Sequence, residues 1–248
     1  DGGIVYSNLG GPTGRQLVTS LFTGAGLTAT DDFFATLDQF NKVQDPVTAG
    51  LVDRLAPAAS KKYDFDAMAA AFKAAYPGAV DRSAREVAFS LLRDSLSSGG
   101  PRAKGPSIMM EIAQGQADPG RAWLKAKPAV YINAFNDESV RGVASDKWRP
   151  VFPAALKARG VKYANASAGM VNLISYNPSW KTLFVGHAGV RFASEGHVWL
   201  LEKLGVLRPY QLTRYPDDAA LKADLLGRPD FAATAEWTPI LLLNGLSW

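Results

Sequence analysis

Both histidines of the chain, His187 and His197, lie within one eleven-residue stretch. Histidine is the side chain whose ordinary pKa lies closest to neutrality, so it is the usual proton carrier in enzymes. Gly186 and Gly189 flank His187, and we expect them to leave room for its imidazole to face an open cleft. The spacing leaves a catalytic and a packed structural histidine equally open. His197 falls at the start of a predicted strand beside a turn, where we expect a solvent-exposed or supporting role.

A carboxylate, Glu202, stands in an otherwise apolar predicted strand. Burying a carboxylate is costly unless it has a partner. The functional interpretation is that Glu202 orients His187, and the structural alternative is a salt bridge with Lys203 or a nearby arginine. The two histidines with Glu195 or Glu202 supply only part of the ligand set that a metal ion needs. We therefore expect neither a metal nor another cofactor.

Ser167 lies in a short motif of small residues, Asn-Ala-Ser-Ala-Gly. This motif resembles the G-x-S-x-G nucleophile elbow, with asparagine in place of the first glycine. An elbow holds its serine at a strained turn from a strand into a helix. The following residues, 170–175, are typical of a strand. An ordinary loop is favoured here, and a serine hydrolase remains a minor alternative.

The composition indicates a folded protein and argues against a nucleic-acid binder. Of 248 residues, 47% are hydrophobic and 20% are charged, which suffices for a sizeable core. The net charge of +4 is mild and the basic residues are scattered, unlike a nucleic-acid surface. Cysteine is absent, and no apolar run is long enough to cross a bilayer. Because the chain begins at Asp1, we expect a secreted or periplasmic protein whose signal peptide has been removed.

Helical patterns fill the first hundred residues, and strand patterns follow them. Apolar residues recur with the helical period of 3.6 in the predicted helices 15–22, 31–40, 47–55, 64–76, 81–97 and 217–226. Strand patterns occur at 129–132, 171–175, 183–192, 198–204 and 210–213. Helices followed by a mostly antiparallel sheet predict an α+β fold. We expect one domain over 1–248, with a helical N-terminal layer at 1–60 and the core at 61–248.

Short motifs along the chain match those of a known family. The strongest covers residues 186–211, with Gly-His-x-Gly-Val, an apolar strand ending in Glu202-Lys203, and then Pro209-Tyr210-Gln211. Others are Tyr-Ser-Asn-Leu at 6–9, Tyr-Asp-Phe-Asp-Ala-Met at 63–68, and Asn-Leu-Ile-Ser at 172–175. Each is short, but together they touch most of the chain. They resemble a family of secreted bacterial proteins of unknown function related to NlpC-type cysteine peptidases and amidases. The resemblance implies a papain-like core, in which a nucleophile helix packs on an antiparallel sheet.

One position departs from that family's pattern. The family has a cysteine followed by arginine just inside the helix after the motif at 63–68. Here Arg85 matches the arginine, and Ala84 occupies the cysteine position. Two explanations of this alanine are open: an engineered Cys-to-Ala change, or a lineage that has lost its nucleophile. We favour the engineered change because His187 and Glu202 remain in place.

The resemblance also implies a role for each site residue. A thiol at position 84 would sit in the first turn of a helix, where a thiolate is favoured, and Asp81 would cap that turn. His187 would act as base and then as acid, and Glu202 would orient it, with His197 as the competitor for the orienting role. The supporting residues are Asp81, Arg85, His197, Tyr210 and Gln211.

These expectations give one main function and two alternatives. The main one is a monomeric, thiol-dependent amide or peptide hydrolase of the bacterial envelope, present here without its nucleophile. Its substrate would be a peptide or peptidoglycan-like molecule, an expectation taken from the wider superfamily and therefore from fold-level analogy. A non-catalytic binding module that uses the same cleft is the first alternative. A serine hydrolase that uses Ser167 is the second.

Overall fold

A computed structural model of the chain describes residues 3–104, 111–113 and 118–248. The α-helices whose bounds it gives are α1 (Pro12–Gly24), α2 (Asp31–Asn41), α3 (Pro46–Ala49), α4 (Phe65–Ala75), α5 (Ala84–Leu92), α6 (Ala122–Ala126), α7 (Pro128–Phe135), α8 (Val151–Ala158) and α9 (Asp218–Leu226). The strands are β1 (Val5–Ser7), β2 (Ala56–Pro57), β3 (Leu96–Ser98), β4 (Glu138–Ser139), β5 (Val161–Tyr163), β6 (Ala168–Asn177), β7 (Thr182–Ser194), β8 (His197–Lys203), β9 (Tyr210–Tyr215), β10 (Ile240–Leu243) and β11 (Leu246–Ser247). None of the helices described is long and apolar enough to cross a bilayer.

The chain divides into two compact units. The first holds the described residues up to 91 together with 166–168 and 189–221. The second holds the described residues of 92–165 together with 169–188 and 222–248. Strand β7 contributes residues to both. The boundary at residue 60 stays a prediction.

In the first unit, β7, β8, β9, β1 and β2 follow one another in an antiparallel sheet. Gly189 on β7 lies opposite Glu202 on β8, which in turn lies opposite Gln211 on β9. Together with the helices, this sheet confirms the predicted α+β class. The register therefore places Gly189, Glu202 and Gln211 in one row across the sheet.

Aromatic side chains form much of the core of the first unit. The ring of Phe22 on α1 lies 5.3 Å from that of Phe33 on α2 and 6.1 Å from that of Phe192 on β7. Tyr210 on β9 packs edge-on against Phe33 at 5.7 Å and against Phe40 at 6.1 Å. Because these α2 residues lie on the one apolar face that the sequence predicted, the predicted helix at 31–40 is confirmed.

The N-terminus of α1 is capped by a residue far along the chain. The Asp53 carboxylate accepts hydrogen bonds from the backbone N–H groups of Gly11 (2.9 Å), Gly14 (2.9 Å) and Thr13 (3.2 Å). A Cβ at Gly11 or Gly14 would lie 2.8–2.9 Å from Asp53 oxygen atoms. The glycine-rich start of the chain is therefore needed to let this carboxylate approach the backbone.

Asp53→Ala is expected to lower the free energy of unfolding by about 1–2 kcal/mol, because three N–H groups at a helix N-terminus lose their acceptor. Denaturant unfolding followed by circular dichroism measures the loss. Asp38→Ala is the control, since Asp38 pairs with Arg15 on the surface, and we expect it to cost under about 1 kcal/mol. Equal effects of the two variants would contradict the capping role.

The second unit is built on the strand order β11, β10, β6, β7, with β4 also pairing with β7. Ile240 on β10 lies opposite Ile174 on β6, so the apolar strand patterns at 171–175 and 183–192 are confirmed as sheet. A separate two-stranded sheet joins β3 and β5. The indole N–H of Trp237 donates to the carbonyl of Ile174 at 3.0 Å, which ties the segment before β10 to the sheet.

Two predicted elements are wrong. Residues 129–132 are not a strand but lie in helix α7, which begins at Pro128 and buries Tyr131, Ile132 and Phe135. A four-residue apolar run does not distinguish a strand from a buried helix, whereas proline favours the first position of a helix. The helix expected at 47–55 ends after one turn, because Gly50 adopts a left-handed conformation with φ 71°.

Candidate functional site

Ala84 is the first residue of α5 and is 7% exposed. A capping box fixes this helix start. The backbone N–H of Ser83 donates to Glu86 Oε2 at 2.7 Å, and the N–H of Glu86 donates to Ser83 Oγ at 3.3 Å. The predicted cap, Asp81, is therefore wrong, and so is the predicted extent of 81–97, because α5 ends at Leu92. A side chain at position 84 nevertheless lies in the first turn of a helix, as expected.

Asp81 instead belongs to a buried ion pair. Its Oδ2 lies 2.8 Å from Nζ of Lys203 and accepts a hydrogen bond from the backbone N–H of Leu207 at 2.7 Å. Lys203 is completely buried, with Nζ 4.1 Å from the ring centre of Phe40 and 4.7 Å from that of Tyr210. These contacts tie the residues before α5 to the loop between β8 and β9.

The environment of this pair shifts two pKa values. Burial lowers the pKa of the Lys203 ammonium below its ordinary value, and the charge of Asp81 opposes that shift. Burial also raises the pKa of the Tyr210 hydroxyl, and the negative charge of Asp81 adds to the effect. Tyr210, predicted as a supporting residue, therefore lies against the Asp81–Lys203 pair with its hydroxyl protonated.

Glu202 is 1% exposed on β8, with Gln211 opposite it on β9. Gln211 Nε2 donates to Glu202 Oε1 at 3.3 Å and to Thr213 Oγ1 at 2.7 Å. Gln211 Oε1 accepts a hydrogen bond from the Tyr63 hydroxyl at 2.9 Å. Asn8 Nδ2 in turn donates to the same Tyr63 hydroxyl at 2.8 Å. A polar chain thus runs Asn8–Tyr63–Gln211–Glu202, buried except at the half-buried Tyr63, and we call it the Glu202 network.

Of the two salt bridges in the structural alternative for Glu202, the one with Lys203 is wrong, and the one with a nearby arginine stays a prediction. Successive residues of a strand point to opposite faces, so Glu202 and Lys203 diverge, and Lys203 pairs with Asp81. The same alternation separates Glu202 from His197. His197 begins β8 five residues earlier and lies on the opposite face, half-buried, with Nδ1 2.9 Å from the carbonyl oxygen of Glu195.

His187 belongs to β7 in the second unit, whereas Ala84 and Glu202 belong to the first. Its side chain is 4% exposed, and its ring centre lies 5.3 Å from that of Phe231. The glycines on either side of it have close neighbours. A Cβ at Gly186 would lie 2.5 Å from Ser175 Oγ, and one at Gly189 would lie 2.8 Å from Leu200 Cδ1. Glycine is therefore required at both positions, because a Cβ would clash with these neighbours.

Comparison with known protein families places most of the chain in one of them. The family described as Domain of unknown function (DUF4300) matches residues 5–246. The chain belongs to the DUF4300 family. No curated protein and no solved structure matches the chain.

The local geometry at Ser167 in the DUF4300 chain is not that of a nucleophile elbow. Strand β6 begins at the next residue, Ala168, so the chain continues into a strand where an elbow requires a helix. Ser167 is exposed and lines a cavity of about 150 Å³ with Ser20 and Ser194. Within the ranges that the structure describes, no three His, Cys, Asp or Glu side chains are grouped to hold a metal ion.

The predicted site residues omit several members of the buried clusters in the DUF4300 chain. Asn8 and Tyr63 belong to the Glu202 network, and Lys203 completes the ion pair with Asp81. The sequence contained a signal for Asn8 and Tyr63, because each lies in a short motif that matches the family pattern, at 6–9 and at 63–68. Lys203 was also visible as a second charge at the end of an apolar strand. Arg85 lies half-buried in α5, next to Ala84.

Proposed function

We propose that the DUF4300 chain carries the site of a thiol-dependent amide or peptide hydrolase, with Ala84 at the position of the nucleophile. The observation that carries this proposal is the start of α5, where residue 84 lies inside the capping box formed by Ser83 and Glu86. The proposal includes a papain-like core, formed by α5 and the antiparallel sheet. It also includes a monomeric protein of the bacterial envelope and a peptide or peptidoglycan-like substrate.

The first turn of α5 suits a thiolate. The amide N–H groups there have no carbonyl one turn earlier in the helix, so they favour negative charge. A cysteine at residue 84 would have its thiol pKa lowered by this environment. Backbone N–H groups at the start of α5 would then be donors for the oxyanion that forms when the sulfur attacks a carbonyl carbon.

The Glu202 network supports a carboxylate that orients a base. Gln211 bonds Glu202 Oε1, Tyr63 bonds Gln211, and Asn8 bonds Tyr63, so the carboxylate has a supported partner inside the sheet. The proposal assigns the base to His187, which precedes Gly189 by two residues on β7. Residues two apart in a strand point to the same side, and Gly189 lies opposite Glu202.

The proposed reaction follows from these roles. His187 takes the thiol proton, the sulfur bonds to the carbonyl carbon, and the C–N bond breaks as the imidazolium protonates the leaving amine. Water then attacks the thioester with His187 as base, which releases the carboxylic acid and restores the thiol. The chain with Ala84 binds substrate without cleaving it.

Ala84→Cys tests the proposal. We expect its thiol, measured by alkylation with iodoacetamide as a function of pH, to have a pKa at least about one unit below the usual 8.5. Ala67→Cys is the matched control, because residue 67 also lies in the first turn of a helix, α4, capped by Asp64. Adding His187→Gln or Glu202→Gln to Ala84→Cys should return the thiol pKa toward that of the control.

Activity provides the second measurement. Ala84→Cys is expected to cleave muropeptides or model peptides, and Ala84→Cys with His187→Gln is expected to be inactive. A folded Ala84→Cys protein whose thiol titrates like that of Ala67→Cys, with no cleavage, would overturn the proposal. Tight binding of muropeptides without cleavage by that variant would instead support the binding module that uses the same cleft.

A further inference from the structure

The turn between β6 and β7 exposes a tryptophan. Trp180 is 54% exposed, whereas Trp123, Trp148, Trp199 and Trp237 are each 5% exposed. Tryptophan is enriched at binding surfaces, so an exposed indole is a candidate contact residue. This turn lies in the second unit and shares no residue with the Glu202 network.

The turn holds the indole in a defined position. The side-chain oxygen Oδ1 of Asn177 accepts hydrogen bonds from the backbone N–H groups of Ser179 at 3.0 Å and Trp180 at 3.2 Å. The next residue, Lys181, adopts φ 52°, which reverses the chain direction. An Asx turn of this kind presets the backbone, so little conformational entropy is lost if Trp180 binds a partner.

A second segment lies beside this turn. Val140 donates its backbone N–H to the carbonyl of Lys181 at 2.9 Å, and Arg141 Nε donates to the carbonyl of Trp180 at 3.3 Å. The segment is anchored at its far end by Trp148. The Trp148 ring lies 4.6 Å from that of Tyr176, and its indole N–H donates to the carbonyl of Val143 at 2.8 Å.

Together the two segments form a surface that we call the Trp180 tip. Its members are all exposed, namely Arg141, Val143, Asp146, Lys147, Arg149, Trp180 and Lys181. Four of them are basic and one is acidic, so the tip carries a net charge of 4 − 1 = +3. The whole chain carries only +4. Basic residues therefore outnumber acidic ones among the exposed residues beside the indole.

We propose that the Trp180 tip docks on an anionic phospholipid surface. An indole has an apolar body and a polar N–H, and tryptophan is enriched where membrane meets water. Lysine and arginine beside it are attracted to anionic headgroups. A turn with one indole and one apolar neighbour, Val143, suits a flat surface, whereas single-stranded nucleic acid requires a basic groove with several stacking rings.

Vesicles of phosphatidylcholine with and without phosphatidylglycerol test this proposal. We expect the full chain to cosediment with the anionic vesicles only, and binding to weaken as salt screens the charges. The emission of Trp180 should shift to the blue, and its quenching by iodide should fall. Trp180→Ala should reduce vesicle partitioning about tenfold and abolish most of the spectral change.

Charge variants distinguish the effect of charge at the Trp180 tip from the effect of the net charge of the whole chain. Arg141→Glu with Lys181→Glu should reduce partitioning at least about twentyfold. The control, Lys73→Glu with Lys157→Glu, makes the same change of charge at exposed residues outside the tip and should have a much smaller effect. Equal losses in the two double variants would overturn the proposal. Vesicle binding that Trp180→Ala leaves unchanged, or tight binding to a soluble polyanion such as heparin with no contribution from Trp180, would also overturn it.

Discussion

Asp81→Ala is expected to lower the free energy of unfolding by about 3–5 kcal/mol, because it leaves the buried Lys203 ammonium without its carboxylate. Lys203 is completely buried between the rings of Phe40 and Tyr210. The backbone N–H of Leu207 also loses its acceptor. Denaturant unfolding at neutral pH measures the loss.

The pH dependence of this variant has a definite sign. Burial lowers the pKa of Lys203, and removing Asp81 removes the charge that opposes the lowering. Between that lowered pKa and the ordinary value near 10.4, the unfolded chain binds more protons than the folded one, so stability rises with pH. The difference between Asp81→Ala and the parent chain should therefore shrink as the pH rises toward 10.

The double variant Asp81→Leu with Lys203→Met supplies the control. Replacing both charges with apolar residues removes the unpaired ammonium, so the double variant should be more stable than Asp81→Ala by about 2 kcal/mol or more. A loss below about 1 kcal/mol in Asp81→Ala would show that Lys203 does not depend on Asp81. Because Asp81 lies three residues before Ala84, the pair also fixes the segment that leads into α5.

The strands that carry Glu202 and His187 could be predicted from sequence, because alternation and short apolar runs are local signals. Strands β7, β8 and β9 lie close to their predicted bounds. The partners of Glu202 and Asp81 could not be predicted in this way. Lys203 lies 203 − 81 = 122 residues from Asp81, and Tyr63 lies 148 residues from Gln211. Pairings at such separations depend on the register and packing of the whole sheet.

The start of α5 shows a similar limit at short range. Asp81 and Ser83 are both good N-cap residues, and the pattern Ser83–Glu86 was the capping box that the sequence contained. The predicted cap was Asp81, but its carboxylate bonds Lys203 and the backbone N–H of Leu207. Because Asp81 is engaged in this ion pair, the helix is capped by Ser83, two residues later than predicted. Ala84 is therefore the first residue of the helix.

Gly50→Ala is expected to be among the most damaging substitutions in the first unit. Gly50 has φ 71°, where a Cβ is strained, and an added Cβ would lie 2.0 Å from the carbonyl oxygen of Lys62. The left-handed conformation costs about 1–2 kcal/mol for a residue with a Cβ, and the clash with a backbone atom adds about 1–3 kcal/mol. We expect a loss of about 2–5 kcal/mol in the free energy of unfolding.

Gly26→Ala is the matched control for Gly50→Ala. Gly26 has φ 65° after the end of α1, but nothing lies within 4 Å of its added Cβ. It should lose only the conformational part, about 1 kcal/mol, so the difference between the variants measures the clash. Equal losses of unfolding free energy in the two variants would show that the backbone around Lys62 shifts and relieves the clash.

The clash at Gly50 should also reach the Glu202 network. Beyond Gly50, the Val52 carbonyl accepts a hydrogen bond from the backbone N–H of Asn8 at 2.7 Å, and the Val52 N–H donates to Asn8 Oδ1 at 3.0 Å. Because Asn8 holds Tyr63 and Tyr63 holds Gln211, a displaced residue 52 loosens the support of Glu202. In the Ala84→Cys background, Gly50→Ala should therefore raise the thiol pKa toward its ordinary value, whereas Gly26→Ala should leave it unchanged.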